Sequence, residues 1–307
     1  MAVQRIAQLS LATEQLERSV AFYRDVLGMA VQSQDVDGDV LRCIFGFAGT
    51  AERRTAGTPE CARLELVYDA ARAATPDAGV AGAPDGYWKV GVTVPDVDRA
   101  CHALRMRGVA VSEPQQFRDI GYLCHLADAD GHTLELLQHR FAAHFQPVPA
   151  VPSQALLGQA TLAHISLRIT DPARSLAFYR DGLGLHLLSV QAVEPHGFNL
   201  YFLGVEPGSP PNDDWASVAH REWLWQRSDT LIELQHVWHP ERRQARYATG
   251  SETGFLGVTC TVDDPGAQRH AVLGVPGAAH RGRTTLTDPD GYAIHLVAGL
   301  GTDALAG

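Results

Sequence analysis

The sequence predicts an α+β protein built from four βαβββ modules in two tandem pairs. Three observations predict it. First, His164-Ile165-Ser166-Leu167-Arg168, followed by Asp171-Pro172-Ala173-Arg174-Ser175-Leu176-Ala177-Phe178-Tyr179-Arg180-Asp181-Gly182-Leu183-Gly184, reads as strand, capped turn, amphipathic helix and glycine stop. Second, a cruder copy stands a constant 156 residues earlier, with Gln8 at the place of His164 and Gly28 at that of Gly184. A gapless repeat of that length marks duplication of a structural unit. Third, Asp128-Ala129-Asp130-Gly131 and Asp288-Pro289-Asp290-Gly291, 160 residues apart, each sit just before a short apolar strand.

In chain order, residues 5–11 alternate as a strand, and Leu16, Val20, Tyr23 and Leu27 recur at helical spacing before the αL stop at Gly28. Val40 to Phe47 and Ala62 to Tyr68 complete the first unit, and an Ala/Gly/Pro-rich connector runs from Asp69 to Asp85. The second unit opens at Trp88–Val94, turns at Pro95 and Asp96 into a helix reaching Arg107, and closes with strands at Tyr122–Leu126 and Thr133–Gln138. The Asp128 turn lacks the alternating oxygen ligands and twelfth-position glutamate of a calcium loop, so it reads as a hairpin. The third unit adds strands at Phe198–Leu203 and Thr230–His236, with an irregular loop from Gly204 to about His220. The fourth runs from Phe255 through a short helix to Leu296. The expected division is residues 1–140, a proline-bearing linker at 141–160, and 161–307.

With 307 residues, 45% hydrophobic and 20% charged, the chain has ample core for two domains. A net charge of −10 spread along the chain argues against nucleic acid or anionic membrane as partner. Met1-Ala2-Val3-Gln4-Arg5 has no apolar leader core, and no apolar run is long enough to span a bilayer. Five cysteines without CxxC spacing read as buried reduced thiols, hence a cytoplasmic protein; the expected partner is a small-molecule substrate.

Chemistry concentrates on the first and last strand of each unit. First-strand positions hold Gln8, Lys89, His164 and Gly257; last-strand positions hold Glu65, Glu135, Glu233 and His295, each flanked by aliphatics that face the other way. An ionisable residue at the same internal place in four units implies a lined concave face, because a buried unpaired carboxylate costs several kcal/mol.

The motif Ser-[Leu/Val]-Ala-Phe-Tyr-Arg-Asp-x-Leu-Gly, the paired units and the Asp-Pro-Asp-Gly turn resemble the vicinal oxygen chelate superfamily of glyoxalase I, extradiol dioxygenases and bleomycin resistance proteins. The look is nearest to glyoxalase I, through Phe198–Gly204 and Leu231–Trp238. The resemblance implies a cup holding a divalent metal, with His164 or Gln8 as first-strand ligand, Glu233 as ligand, Glu135 as ligand and base, and Arg168 as a substrate-carboxylate binder. Lys89 and Gly257 depart from the histidine expected in the second and fourth units, His295 from a glutamate, and Val237 from an asparagine.

A catalytic divalent site takes three or four N/O side chains with an open position. If units three and four share a cup, the set is His164, Glu233 and His295; if units two and three do, it is His164, Glu233 and Glu135 with Lys89 beside them. The implied function is a metal-dependent glyoxalase-like lyase or isomerase, using zinc, nickel or cobalt, with Glu233 or Glu135 moving the proton through an enediolate-type intermediate. Two alternatives stand beside it: an extradiol dioxygenase using Fe(II), and a non-catalytic small-molecule binding protein. A homodimer is compatible with either pairing.

Overall fold

A computed structural model describes residues 2–47, 60–71, 86–147, 157, 159–238, 247–250, 254–273 and 283–299. Unit one contains β1 (Arg5–Ala12), α1 (Leu16–Ala21), β2 (Met29–Asp37), β3 (Val40–Phe47) and β4 (Arg63–Asp69). Unit two contains β5 (Tyr87–Val94), α2 (Val97–Arg105), β6 (Gln115–Phe117), β7 (Gly121–Ala127) and β8 (Thr133–Gln138). Unit three contains β9 (Thr161–Ile169), α3 (Pro172–Leu176), β10 (His186–Val193), β11 (Phe198–Gly204), α4 (Val218–Trp225) and β12 (Leu231–Val237). Unit four contains β13 (Phe255–Val262), α5 (Pro265–Leu273), β14 (Arg283–Thr287) and β15 (Ala293–Ala298). Most of the connector after Asp69 and about half of the 141–160 linker fall outside the described residues.

The α+β architecture of repeated units is as expected, and the units pair crosswise. A seven-stranded sheet runs β14-β15-β13-β1-β4-β3-β2, joining units four and one. An eight-stranded sheet runs β10-β11-β12-β9-β5-β8-β7-β6, joining units three and two. First strands meet antiparallel at each centre, β1 with β13 and β9 with β5. Each is flanked in parallel by the last strand of its own unit: β4, β15, β12 and β8.

Local chemistry explains the helices. Asp171 caps α3 by accepting from the backbone N–H of Ala173 and Arg174 at 2.9 and 3.2 Å, with Pro172 in the first turn, where its missing N–H does no harm. Asp96 caps α2 through Arg99 N–H. α1 and α3 each run on into a wide turn, Phe22–Val26 and Ala177–Gly182. The Phe-Tyr pairs there reach across to the other sheet. Tyr23 Oη donates to Asp128 Oδ2 at 2.7 Å and Tyr179 Oη to Asp288 Oδ2 at 2.9 Å. Those aspartates also order their own turns, Asp288 Oδ1 accepting the N–H of Asp290, Gly291 and Tyr292. The hairpin reading of the Asp128 turn agrees with this, and the repeated helix and turn motifs are two halves of one clamp.

Period-two alternation divides each central strand. Ile165, Leu167, Ile232, Leu234, Val90, Val92, Leu134 and Leu136 enter one continuous core shared by both sheets. The opposite face of the eight-stranded sheet carries a second cluster around Trp225, Phe202, Leu123, Leu137 and Leu200. Trp225 comes from α4, which crosses that face. Among the described residues no helix is long and apolar enough to cross a membrane. All five cysteines are buried, and the structure joins none of them in a disulfide.

Candidate metal centre

The four central strands of the eight-stranded sheet bring four ionisable side chains to one point. β12 supplies Glu233, β9 His164, β5 Lys89 and β8 Glu135, with exposures of 1, 1, 4 and 5%. His164 Nε2 lies 3.3 Å from Glu233 Oε2 and 3.4 Å from Glu135 Oε1. Lys89 Nζ lies 2.5 Å from Glu135 Oε2 and 3.8 Å from Glu233 Oε2. Ser166, two residues along the same face from His164, donates its hydroxyl to Glu233 Oε2. His125 Nε2, on β7, stands 3.1 Å from Glu135 Oε2, so the neighbouring strand adds a partner to Glu135.

The electrostatics follow from these contacts. Burial pushes the Glu135 carboxyl up, but the Lys89 ammonium, His125 and His164 together hold it well below the ordinary carboxylate value. Burial pulls Lys89 down, and Glu135 and Glu233 more than reverse it, so the ammonium is the stable form.

His164 has a different status. Its ring is buried, yet among the described residues neither Nδ1 nor Nε2 has a hydrogen-bond partner of acceptable geometry. Its ring lies in a notch at Gly91, directly opposite on β5, where a Cβ would overlap it. Phe202 and Trp225 enclose it at ring-centroid distances of 6.0 and 6.2 Å. Buried polar nitrogens whose hydrogen-bonding capacity is unmet call for a ligand. An imidazole and two carboxylates converging in an apolar pocket have the donor chemistry of a divalent ion of the zinc, nickel or cobalt kind. Among the described residues no three or more His, Cys, Asp or Glu side chains stand ready-made in metal-binding geometry. In this cup Lys89 engages the carboxylates.

Arg168, two further along the same face, lies at the rim. Its Nε donates to Gln235 Oε1 at 3.2 Å and its guanidinium lies 5.5 Å from the Trp88 ring centroid. The cup is roofed by α4, which starts at the end of the stretch expected to be an irregular loop and has no counterpart among the expected elements. Trp225 Nε1 donates to Ile120 O at 2.9 Å, Arg221 donates to Asp119 O, and Glu222 accepts from Phe141 N–H at 2.9 Å. The available signal was Ser217, whose hydroxyl caps α4 at His220 N–H.

The expectation that His295 serves as third ligand is corrected. It lies on β15 in the other sheet, and both ring nitrogens are engaged. Nε2 donates to Leu256 O at 3.1 Å, which leaves Nδ1 to accept from Thr285 Oγ1 at 2.9 Å. Burial and Arg283 lower its pKa, so the neutral ring is favoured. In that sheet Glu65 accepts from Ser10 Oγ at 2.6 Å and faces Arg42 Nη1 at 3.5 Å, while Gln8 Nε2 donates to Ser10 Oγ at 3.3 Å. Gly257 brings no side chain, and a Cβ there would strike His295. The structure therefore brings His164, Glu233 and Glu135 together and leaves His295 apart.

The family profile described as Glyoxalase/Bleomycin resistance protein/Dioxygenase superfamily matches residues 5–136 and 161–296. Glyoxalase I of Saccharomyces cerevisiae is 28% identical over 230 residues, spanning 69% of this chain and 64% of that one, just under two thirds of its length. A lactoylglutathione lyase of Schizosaccharomyces pombe is 23% identical over 319 residues and 97% of both chains. The crystal structure of glyoxalase I from Zea mays superposes with a TM-score of 0.66 at 20% identity, covering 96% of this chain and 92% of that one; it bears on the fold.

Proposed function

Because the chain belongs to the Glyoxalase/Bleomycin resistance protein/Dioxygenase superfamily, we propose that it is a metal-dependent, glyoxalase-like lyase or isomerase acting on a small carbonyl or vicinal-oxygen substrate. The observation that carries the reading is the buried His164, whose ring nitrogens make no hydrogen bond of good geometry while Nε2 lies 3.4 and 3.3 Å from the carboxylates of Glu135 and Glu233. His164, Glu135 and Glu233 would hold a zinc, nickel or cobalt ion, which when bound would supply Lewis-acid polarisation of a substrate carbonyl.

The chain's own groups do the rest. Glu135 is committed to Lys89 and His125 and is a weak base on that account. Glu233, which takes one hydroxyl from Ser166, is the better candidate to move a proton between adjacent substrate carbons. The Ser166 hydroxyl orients that carboxylate. Arg168 at the rim would bind an anionic group of the substrate, and the roof of α4 excludes water from the proton in transit.

The dioxygenase reading is less well supported, since a two-histidine, one-carboxylate set would need His295, which is engaged elsewhere. Five buried cysteines, none joined in a disulfide, support a reducing, cytoplasmic location. The cup is completed within one chain, so a homodimer would use other surfaces.

The test is deuterium exchange at the carbon beside the carbonyl in a panel of 2-oxoaldehydes, with and without thiol, using zinc-, nickel- and cobalt-loaded protein. Exchange that disappears in Glu233→Gln is expected. Its absence across the panel, or full retention in Glu233→Gln, would overturn the reading.

A further inference from the structure

Of the chain's 25 Lys and Arg residues, Lys89 is the sole lysine; the other 24 are arginine. It does not lie on the surface, where lysine is usually found. It is buried at the fourth corner of the cup, its Nζ 2.5 Å from Glu135 and 3.8 Å from Glu233. The opposite cup offers an internal comparison. There the same position is Gly257, and the one central carboxylate, Glu65, faces Arg42 instead. The lysine stands where two buried carboxylates converge.

We propose that Lys89 is a built-in counter-ion that competes with a divalent cation for Glu135 and Glu233. The inference rests on the reading of this cup as a metal site. Two carboxylates this deeply buried need a positive partner whether or not a metal is bound. A compact ammonium on a flexible stem can supply it and then withdraw; a planar, permanently charged guanidinium cannot do so in the same space. The Trp88 ring, 4.4 Å from Nζ, offers a face on which the ammonium can rest after leaving Glu135. A divalent ion entering beside His164 would repel the ammonium from its present place. The metal-free protein is thereby held folded and its cup intact, and divalent binding is weaker and more reversible than three such donors would otherwise give.

The test uses full-length protein stripped of metal. Zinc titrated by calorimetry and cobalt(II) followed by visible absorption are compared for the wild type, Lys89→His and Lys89→Arg. Lys89→His removes the competitor and adds a donor, so its dissociation constant for zinc should fall by about 10- to 100-fold. Lys89→Arg should bind no tighter than the wild type. The wild type itself supplies a second measurement, because lysine labelled with ¹⁵N gives a single side-chain ammonium resonance. That resonance should shift on zinc saturation as Nζ leaves Glu135. Equal zinc affinity in wild type and Lys89→His, or an unmoved resonance at saturation, would overturn the competition while leaving the metal site standing. Failure of every form to bind zinc or cobalt would instead overturn the metal reading, and this inference with it.

Discussion

Replacing Gly91 by alanine should expel the His164 ring from the cup. Gly91 has an ordinary backbone conformation that alanine can adopt, so the effect is steric and not conformational. A Cβ at this position would overlap three atoms of the His164 ring. β5 and β9 are paired at the centre of an eight-stranded sheet, so neither strand can back away without breaking its ladder. The ring must therefore rotate, into space already held by Phe202 and Trp225. Overpacking of this kind costs about 1–3 kcal/mol. For a chain this size that corresponds to a fall of about 2–4 °C in Tm per kcal/mol. The same rotation takes Nε2 away from Glu233 and Glu135, so zinc affinity should fall together with stability. Thermal unfolding and zinc calorimetry on the purified variant measure both. A Tm and zinc affinity within error of wild type would refute the argument that the glycine exists to seat His164.

Other substitutions probe the clamp and the roof. Tyr179→Phe removes the hydroxyl that Asp288 accepts in a buried setting, and should destabilise by about 1.5–3 kcal/mol in denaturant unfolding at neutral pH. Burial pushes the Asp288 carboxyl up to about 6 from an unfolded value of 3.8, against its backbone and Tyr179 hydrogen bonds. The folded state then holds this proton more tightly than the unfolded one. Stability contributed at Asp288 is complete below about pH 4 and falls as pH rises to about 6, by up to about 3 kcal/mol. Asp288→Asn should remove that slope from unfolding curves taken across the window, and an unchanged slope would assign it elsewhere. Trp225→Ala empties a buried position and should cost about 3–5 kcal/mol, with faster modification of His164 by diethylpyrocarbonate as the roof loosens.

The local parts of this protein were legible in its residues, and the global pairing was not. Strand β1, the helical Phe-Tyr motif, the Asp171 cap and the Asp-x-Asp-Gly turns each announce themselves within a dozen residues, because caps, turns and periodicity are short-range effects. β2 and β10 went unread. Each is the outermost strand of its sheet at one edge, and β2 is mostly exposed, with no apolar alternation to reveal it. α4 was hidden behind a loop rich in proline and acidic residues, with Ser217 as its one clear mark. The ambiguity between His295 and Glu135 lay in whether β9 pairs with β13 or β5. That depends on contacts between residues some 75 apart in sequence, which no local pattern encodes. The repeat pattern places Lys89 beside the carboxylates, but its grip on Glu135 and the contact of His125 depend on side-chain positions that no strand pattern encodes.

The crosswise pairing also sets an order in which the molecule can be made. On a ribosome, β5 and β9 emerge close together, so the eight-stranded sheet can close once β12 has been synthesised. The seven-stranded sheet must wait. Its central ladder joins Arg5 to Thr261, so β1 leaves the ribosome with one side open and keeps it open until nearly the whole chain has followed. An exposed strand edge of that lifetime invites pairing with a neighbouring chain. Truncation between β12 and β13 would leave the edge of β1 uncovered while the eight-stranded sheet was complete. A product cut short in this way would carry an intact cup and a strong tendency to self-associate.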